Sequence, residues 1–570
     1  MVRRILTRIT APVRSITRPI RGLHQAAYLL AGLTLASQAL ALLRDRIFAH
    51  MFGAGQVLDL YYAAFKVPDL VYALVVSLVS AYVLIPKLSE RIEREGKPSA
   101  QKLISQAATF LLAFGGIVCI VFALFAPFFL FKLFPTFQAS AHRGEFIFLA
   151  RLLLIQPILL GLSSVLSSVT QIERRFFLFA MSPVLYNLGI ILGTVLLYPS
   201  LGLVGIGIGV VIGALVHLLL HVPVVVRAGL MPRLTLPNMR ELLALFKDSL
   251  PRSLALAMGS LTTLLLISLA SREGEGGVAV YTLAGNLEAV PLSLIAASYV
   301  TAAFPVMAEQ AGAARFDAFK ETVTVAARHI IFWSSVVTVL AVVLRAHIVR
   351  IVLGSGQFNW DDTRLTAAIL AVLVMGLLAQ GIILLCSRAF YAAGRSWNPL
   401  LVQLGDAGIS VAIAYGLVHL ARAEPMIRYF MEALLRVEDV PGASVLFIAL
   451  GYTIGQFVMV TVALCTLKVV AGGVARSLTR SLFEGLGAAI LGGAASYGVL
   501  TFVGTIAPLT RVGTVFADGA LAGMVGLIVA GSVLALLENR EFRDLVDSLK
   551  RLTSTKALQP FSPIHDRTDP

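Results

Sequence analysis

Charge is what this sequence has least of. Asp, Glu, Lys and Arg make up 14% of its 570 residues, against about 25% in soluble domains. Apolar residues make up 58%, more than a water-soluble fold of this length has interior to hide. A soluble globular protein is excluded, and lipid is the natural solvent. Cysteine is scarce as well: Cys119, Cys386 and Cys465 each lie inside an apolar run. No disulfide framework or cysteine metal spacing results, and the three read as small apolar side chains. Catalytic signatures are missing too. There is no Gly-x-x-x-x-Gly-Lys-Ser/Thr phosphate loop, no Gly-x-Ser-x-Gly elbow and no strand-turn-helix glycine fingerprint. That argues against an enzyme, a cofactor and a pump with its own ATPase. His217 and His221 stand four apart on one apolar run; without a third ligand, histidines bonded between helices are preferred to a metal site.

What is present is a series of apolar runs of the length a bilayer requires, roughly 20 residues each. They fall at about 25–43, 58–85, 103–132, 146–171, 177–197, 201–226, 252–271, 278–305, 329–352, 365–391, 399–420, 444–467, 482–506 and 514–537. The expected fold is therefore an all-α polytopic membrane protein of about 14 transmembrane helices. The first 22 residues carry six arginines and no acid, and the first run ends in Arg44-Asp45-Arg46 rather than a cleavage site, so an uncleaved first span is read. With the N-terminus inside, about 31 of the 46 Lys and Arg fall on cytoplasmic segments and about 12 outside, the asymmetry the positive-inside rule demands. Both termini are then cytoplasmic. The net charge of +15 is topological rather than a sign of nucleic acid, because the cations are scattered among short loops. Between spans eleven and twelve, Met426, Phe430, Leu434 and Leu435 are spaced as on a short helix lying at the outer interface. The end of the chain, with Pro560, Pro563 and Pro570, reads as a polar, disordered tail.

The chain also echoes itself. Span two ends in Pro86-Lys-Leu-Ser-Glu90 and span eight in Pro305-Val-Met-Ala-Glu309, 219 residues apart. Pro183-x-x-x-Asn187 opens span five as Pro399-x-x-x-Gln403 opens span eleven. A constant offset of six spans predicts two parallel six-helix lobes related by a pseudo-twofold along the membrane normal, plus two extra C-terminal helices. Such proteins hold substrate between the lobes and alternate access by rocking them. The expected divisions are a basic tail at 1–22, a first lobe at 23–226, a cytoplasmic linker at 227–251, a second lobe at 252–468, the extra pair at 469–537 and a cytoplasmic tail at 538–570.

Within the spans, ionisable side chains mark candidate function, because each costs at least about 2.5–3.5 kcal/mol near a helix centre and seeks a wet cavity or a partner. Asp59 and Lys66 lie two turns apart on one face of span two, too distant to pair, with Pro68 beside Lys66 to weaken the helix. Arg44 and Asp45, closing span one, are placed to supply Asp59 with a cation. Asn286 and Glu288 occupy the corresponding stretch of span eight; Arg151 heads span four and Asp406 lies in span eleven. A polar cavity lined by Arg44, Asp45, Asp59, Lys66, Asn286 and Glu288 is expected, with buried ion pairs that merely fix packing as the alternative.

The stretch LLRDRIFAHMFGAGQVLDLYYAAFKVPDL at residues 42–70 resembles the signature of the lipid II flippase family (MurJ/MviN). The similarity lies at Arg44-Asp45, Phe52-Gly53-Ala54-Gly55, Asp59 and Ala64-Phe65-Lys66-x-Pro68. It continues through Gln171-x-x-x-Arg175-Phe176, the span from Tyr281 to Pro305, and Gly356-x-Phe358. The resemblance implies the multidrug/oligosaccharidyl-lipid/polysaccharide exporter fold and movement of a polyprenyl-pyrophosphate-linked peptidoglycan precursor across the inner membrane, with membrane lipid and cell-wall synthesis enzymes as its surroundings. It also implies cavity arginines for the pyrophosphate, and here the chain departs. Gln38, Tyr72, Ala73 and Asn286 stand where the family has arginines, and Ser77 where it has an acid, leaving Arg44 and Lys66 of that basic set. Three readings follow: fewer groups hold the phosphate, the cargo is another lipid-linked glycan, or function has been lost. A proton- or sodium-coupled small-molecule antiporter of the same fold, using Asp59 or Glu288, and a non-transporting scaffold are the competing classes.

Overall fold

The computed structural model describes residues 23–236, 238–473, 475–503 and 512–553. Among them every regular element is helical, as lipid requires of a chain whose backbone must satisfy itself. Twelve helices are long and apolar enough to cross a membrane, and a thirteenth span is the pair Trp360–Met375 and Leu377–Ala392, bent by 45°. The first expected span falls on a further continuous helix of 30 residues, Leu23–Phe52, outside that count. The tail at 1–22 lies outside the described residues, as does 554–570, the part expected to be disordered; 540–553 form a helix.

In chain order the long helices are α1 (Leu23–Phe52), α2 (Gln56–Arg94), α3 (Lys97–Leu124), α4 (Arg143–Ile172), α5 (Phe176–Leu201), α6 (Leu203–Ala228) and α7 (Met239–Ala270). There follow α8 (Gly277–Gly312), α9 (Phe316–Val343), α10 (the bent pair Trp360–Met375 and Leu377–Ala392), α11 (Trp397–Ala423), α12 (Val445–Ala471), α13 (Ala475–Val503) and α14 (Val512–Leu536). The packing repeats with the sequence. α1 packs on α5 as α7 packs on α11, and α5 on α6 as α11 on α12. The breaks repeat too: α2 passes through a 3₁₀ turn at Val76–Val79 and α8 through a π turn at Ser293–Ala297. α13 and α14 pack on each other, α13 also on α9. The expected linker at 227–251 is shorter in fact, because α7 already begins at Met239 and carries Pro251 within it.

Glycine decides how closely the paired helices approach. Gly189 and Gly193 on α5 meet Gly205, Gly209 and Gly213 on α6, and a Cβ on Gly193 would stand 2.5 Å from the Gly209 Cα. In lipid, where apolar side chains gain nothing by leaving one another, such backbone contact is a principal source of helix association. The equivalent seam in the second lobe places Gly451 against Ala414 and Gly455 against Ser410. A Gly209→Leu variant is expected to lose at least about 2 kcal/mol by overpacking, read as a lower thermal midpoint of the purified protein in detergent. Gly498→Ala, where a Cβ meets nothing within 4 Å, is expected not to lower it.

Candidate functional site

The two lobes are tied together at one end of the molecule. Here α2 and α8 begin, and each begins on a carboxylate from the opposite side of the seam. Asp59, in the first turn of α2 and 1% exposed, accepts hydrogen bonds from the Gly276 and Ala279 amides at 2.7 Å each. Glu275, just before α8, accepts one from the Gln56 amide at 3.1 Å. First-turn amides lack helical partners and carry partial positive charge, so a carboxylate is their natural cap. Gly276 is forced at this point: its φ is +82° and a Cβ would strike the Ala54 carbonyl. The same end is closed further by loop 353–359. The Gln357 amide donates to the His50 carbonyl at 2.9 Å, Arg46 to the Val352 carbonyl at 3.2 Å, and the Ala54 amide to Asp362 at 3.3 Å.

Below this closure a second polar group bridges the lobes. Asp45 accepts from Arg44 at 2.8 Å and from the Asn286 amide of α8 at 2.9 Å, while Arg44 also donates to Asn187 of α5 at 3.0 Å. Arg44 thus does not serve Asp59, whose partners are backbone amides. Glu288 is buried and accepts from Gln380 of α10 at 2.6 Å. The structure therefore brings Arg44, Asp45 and Asn286 together, and sets Asp59 and Glu288 apart from them. None of these five is among the residues lining the crevice described next.

Lys66 is. Toward the other end of the molecule the lobes diverge around three adjoining cavities. The middle one, of ≈340 Å³, lies between α2 and α7 and is lined by Lys66, Asp69, Tyr72, Ser77 and Thr263. The Lys66 ammonium lies 4.0 Å from the Asp69 carboxylate, itself 44% exposed. Through Leu256 and Thr263 it adjoins a C-lobe cavity of ≈350 Å³ whose wall includes Arg252 and Arg388. The Arg252 guanidinium lies 5.9 Å from the Tyr391 ring centre, and that of Arg388 5.9 Å from the Phe304 ring centre. Asp406 also faces this cavity, but Ser410 and Gln456 donate to it at 2.7 and 2.8 Å. Through Tyr72 the middle cavity adjoins an N-lobe cavity of ≈490 Å³.

From sequence Arg252 falls within span seven without a role, and Arg388 escapes notice, because each stands near the end of an apolar run, where a basic residue ordinarily flanks the membrane. The signal that finds Arg388 is its helix: Ser387, Arg388 and Tyr391 cluster in the last turns of α10. The two histidines behave as expected of interhelical groups. His221 is buried between Thr170 and Ser182, both at 3.1 Å, and His217 contacts Ser163 at 2.7 Å. No group of three or more potential metal ligands occurs among the described residues.

Two similar lobes, sealed at one end and parted at the other around a polar crevice, define a transporter and not an enzyme. Solved structures agree on the fold. A lipid II flippase MurJ in an inward closed conformation superposes with a TM-score of 0.70 at 18% identity, covering 90% of this chain and all of that one. An inward-facing multidrug resistance MATE transporter of the MOP superfamily superposes at 0.59 and 18%, covering 76% and 95%. The chain belongs to the lipid II flippase MurJ family, whose model matches residues 48–506. The lipid II flippase MurJ of Burkholderia cenocepacia is 22% identical over 402 residues, 67% of this chain and 76% of the relative. A probable lipid II flippase of Rhizobium meliloti is 26% identical over 401 residues, 67% and 72%. The antiporter reading, with Asp59 or Glu288 as its ion site, is not favoured: Asp59 accepts from two backbone amides and Glu288 from the Gln380 amide.

Proposed function

We propose that this protein moves lipid II, a polyprenyl-diphosphate-linked peptidoglycan precursor, across the inner membrane by alternating access between its lobes. The observation that carries this reading is a crevice between the lobes whose walls carry cations from both of them. Lys66 comes from one lobe and Arg252 and Arg388 from the other. A diphosphate is matched by such a set, since each guanidinium fork donates to its oxygens in pairs and a dry site strengthens each contact. The rocking bodies are the lobes at 23–226 and 252–468. The sealed end faces outward and both termini face the cytoplasm, the orientation that puts most basic residues inside.

The test is complementation of a strain depleted of its own lipid II flippase. The wild-type chain is expected to restore growth and a Lys66→Ala, Arg252→Ala double variant to fail at equal membrane expression. Failure of the wild type, expressed and inserted, would sink lipid II as the cargo.

A further inference from the structure

We infer that the N-lobe cavity, on the side of the crevice away from the arginines, is a saccharide site. It takes the sugar rings of the cargo. The inference rests on the reading of the cargo as a polyprenyl-diphosphate-linked glycan.

The cavity, ≈490 Å³, lies in the range of small-molecule sites, about 300–1,000 Å³. Its polar wall is built from Thr34, Ser37 and Gln38 of α1, Ser164 and Ser167 of α4, and His217 of α6. It contains no carboxylate, ammonium or guanidinium group. That separates it from the two neighbouring cavities, which hold Lys66, Asp69, Arg252, Arg388 and Asp406. A phosphate has nothing here to balance its charge. A sugar does find partners: hydroxyls and an amide side chain both donate and accept, as a ring of hydroxyl and acetamido groups requires. Tyr72 and Phe179 supply aromatic surface on the same wall for the apolar C–H face of a sugar ring.

A second observation points to an occupant. The side chains of Thr34, Ser37 and Gln38 take part in no hydrogen bond among the described residues, although they lie within the stretch expected to cross the membrane. Hydrocarbon offers them no partner at that depth, so the cavity must admit water or a polar ligand. Its neighbours are otherwise engaged: Ser167 donates to the Ser164 carbonyl, and Ser163 meets His217. The Gln38 amide is neutral like the rest of this wall, so the diphosphate is left to Lys66, Arg252 and Arg388 and the wall is free for the glycan. The cargo would then lie across the crevice, diphosphate against the C-lobe and sugar against the N-lobe, with Tyr72 at the junction of the two cavities.

Site-directed cysteine protection tests this in the full chain reconstituted in vesicles. Cys119 and Cys386 are buried and Cys465 is exposed, so a Cys465→Ser background removes the accessible thiol. Gln38→Cys and, separately, Thr34→Cys are labelled with a maleimide in the presence of lipid II or of undecaprenyl diphosphate without sugar. At about ten times its Kd, lipid II is expected to slow labelling at both positions about tenfold, because only unliganded protein reacts. The sugar-free lipid is expected to change either rate by less than about twofold. Equal protection by both lipids, or protection by neither, at either position would overturn the saccharide assignment. Flipping of lipid II by the unsubstituted chain is measured in parallel vesicles; its absence would overturn the reading of function while leaving the protection result to stand or fall separately.

Discussion

An Arg388→Ala variant is expected to flip lipid II at least about 30-fold more slowly than wild type in proteoliposomes. Arg388 lines the C-lobe cavity with its guanidinium over the Phe304 ring. Among the described residues no hydrogen bond or ion pair engages it. Its donors are therefore available to a phosphate in the cavity. Truncating one partner of a desolvated, hydrogen-bonded charge pair costs roughly 2–5 kcal/mol, and 2 kcal/mol is already a factor of about 30. Arg388→Lys keeps the charge but loses the planar fork, and is expected to fall between the two. Arg94→Ala is the control, because Arg94 is 76% exposed and pairs with Glu90 on the surface of α2; it is expected to flip at the wild-type rate. Undiminished flipping by Arg388→Ala, at equal reconstitution, would remove this arginine from the cargo site and weaken the case for a diphosphate there.

The second large effect is expected at Asp59. Alanine there leaves the buried amides of Gly276 and Ala279 without their acceptor, and each unmet donor costs about 1–3 kcal/mol. Because those amides belong to the opposite lobe, the cost falls on the sealed state and not on the fold of either lobe. A loss of about 3 kcal/mol shifts the balance between sealed and open forms by more than 100-fold. Spin labels at Ala54→Cys and Gln357→Cys, in a Cys465→Ser background, report the separation across the closed end. A single short distance in the parent is expected to become a broad or longer distribution with Asp59→Ala, and flipping to fall with it. Asp59→Asn keeps one oxygen acceptor and is expected to lie between. An unchanged distance distribution with Asp59→Ala would show that the caps do not hold the seal. A coupling-ion site at Asp59 would behave differently: asparagine would abolish transport as fully as alanine, while the resting distance stayed put.

Much of this was legible in the residues and some was not. The spans, their pairing into lobes and the importance of span two follow from apolar length, repeat offset and the intramembrane charges. Asp59 and Lys66 do share a face that looks toward the other lobe. What periodicity cannot supply is depth. Asp59 stands in the first turn of α2, where α8 begins opposite and offers bare amides; Lys66 stands two turns further, where the lobes have parted. One face thus serves a seal and a crevice. Arg44 likewise was near enough in sequence to partner Asp59, but its fork is turned to Asp45 and Asn187. The glycine ladder of α5 and α6 was within reach, since Gly189 and Gly193 and then Gly205, Gly209 and Gly213 recur every four residues. That Arg252 and Arg388 share a cavity was not, because which end of a span faces a cavity is decided by contacts between helices distant in the chain.

The reciprocal caps have a consequence for how this transporter can change over time. A latch made of two side chains is lost when either one mutates. Here the receiving half is main chain, which every residue except proline carries, so positions such as Gln56 and Ala279 can drift in chemistry without unlocking the protein. The burden of keeping the latch falls on Asp59, on Glu275 and on Gly276, where any larger residue would collide with the opposing strand of backbone.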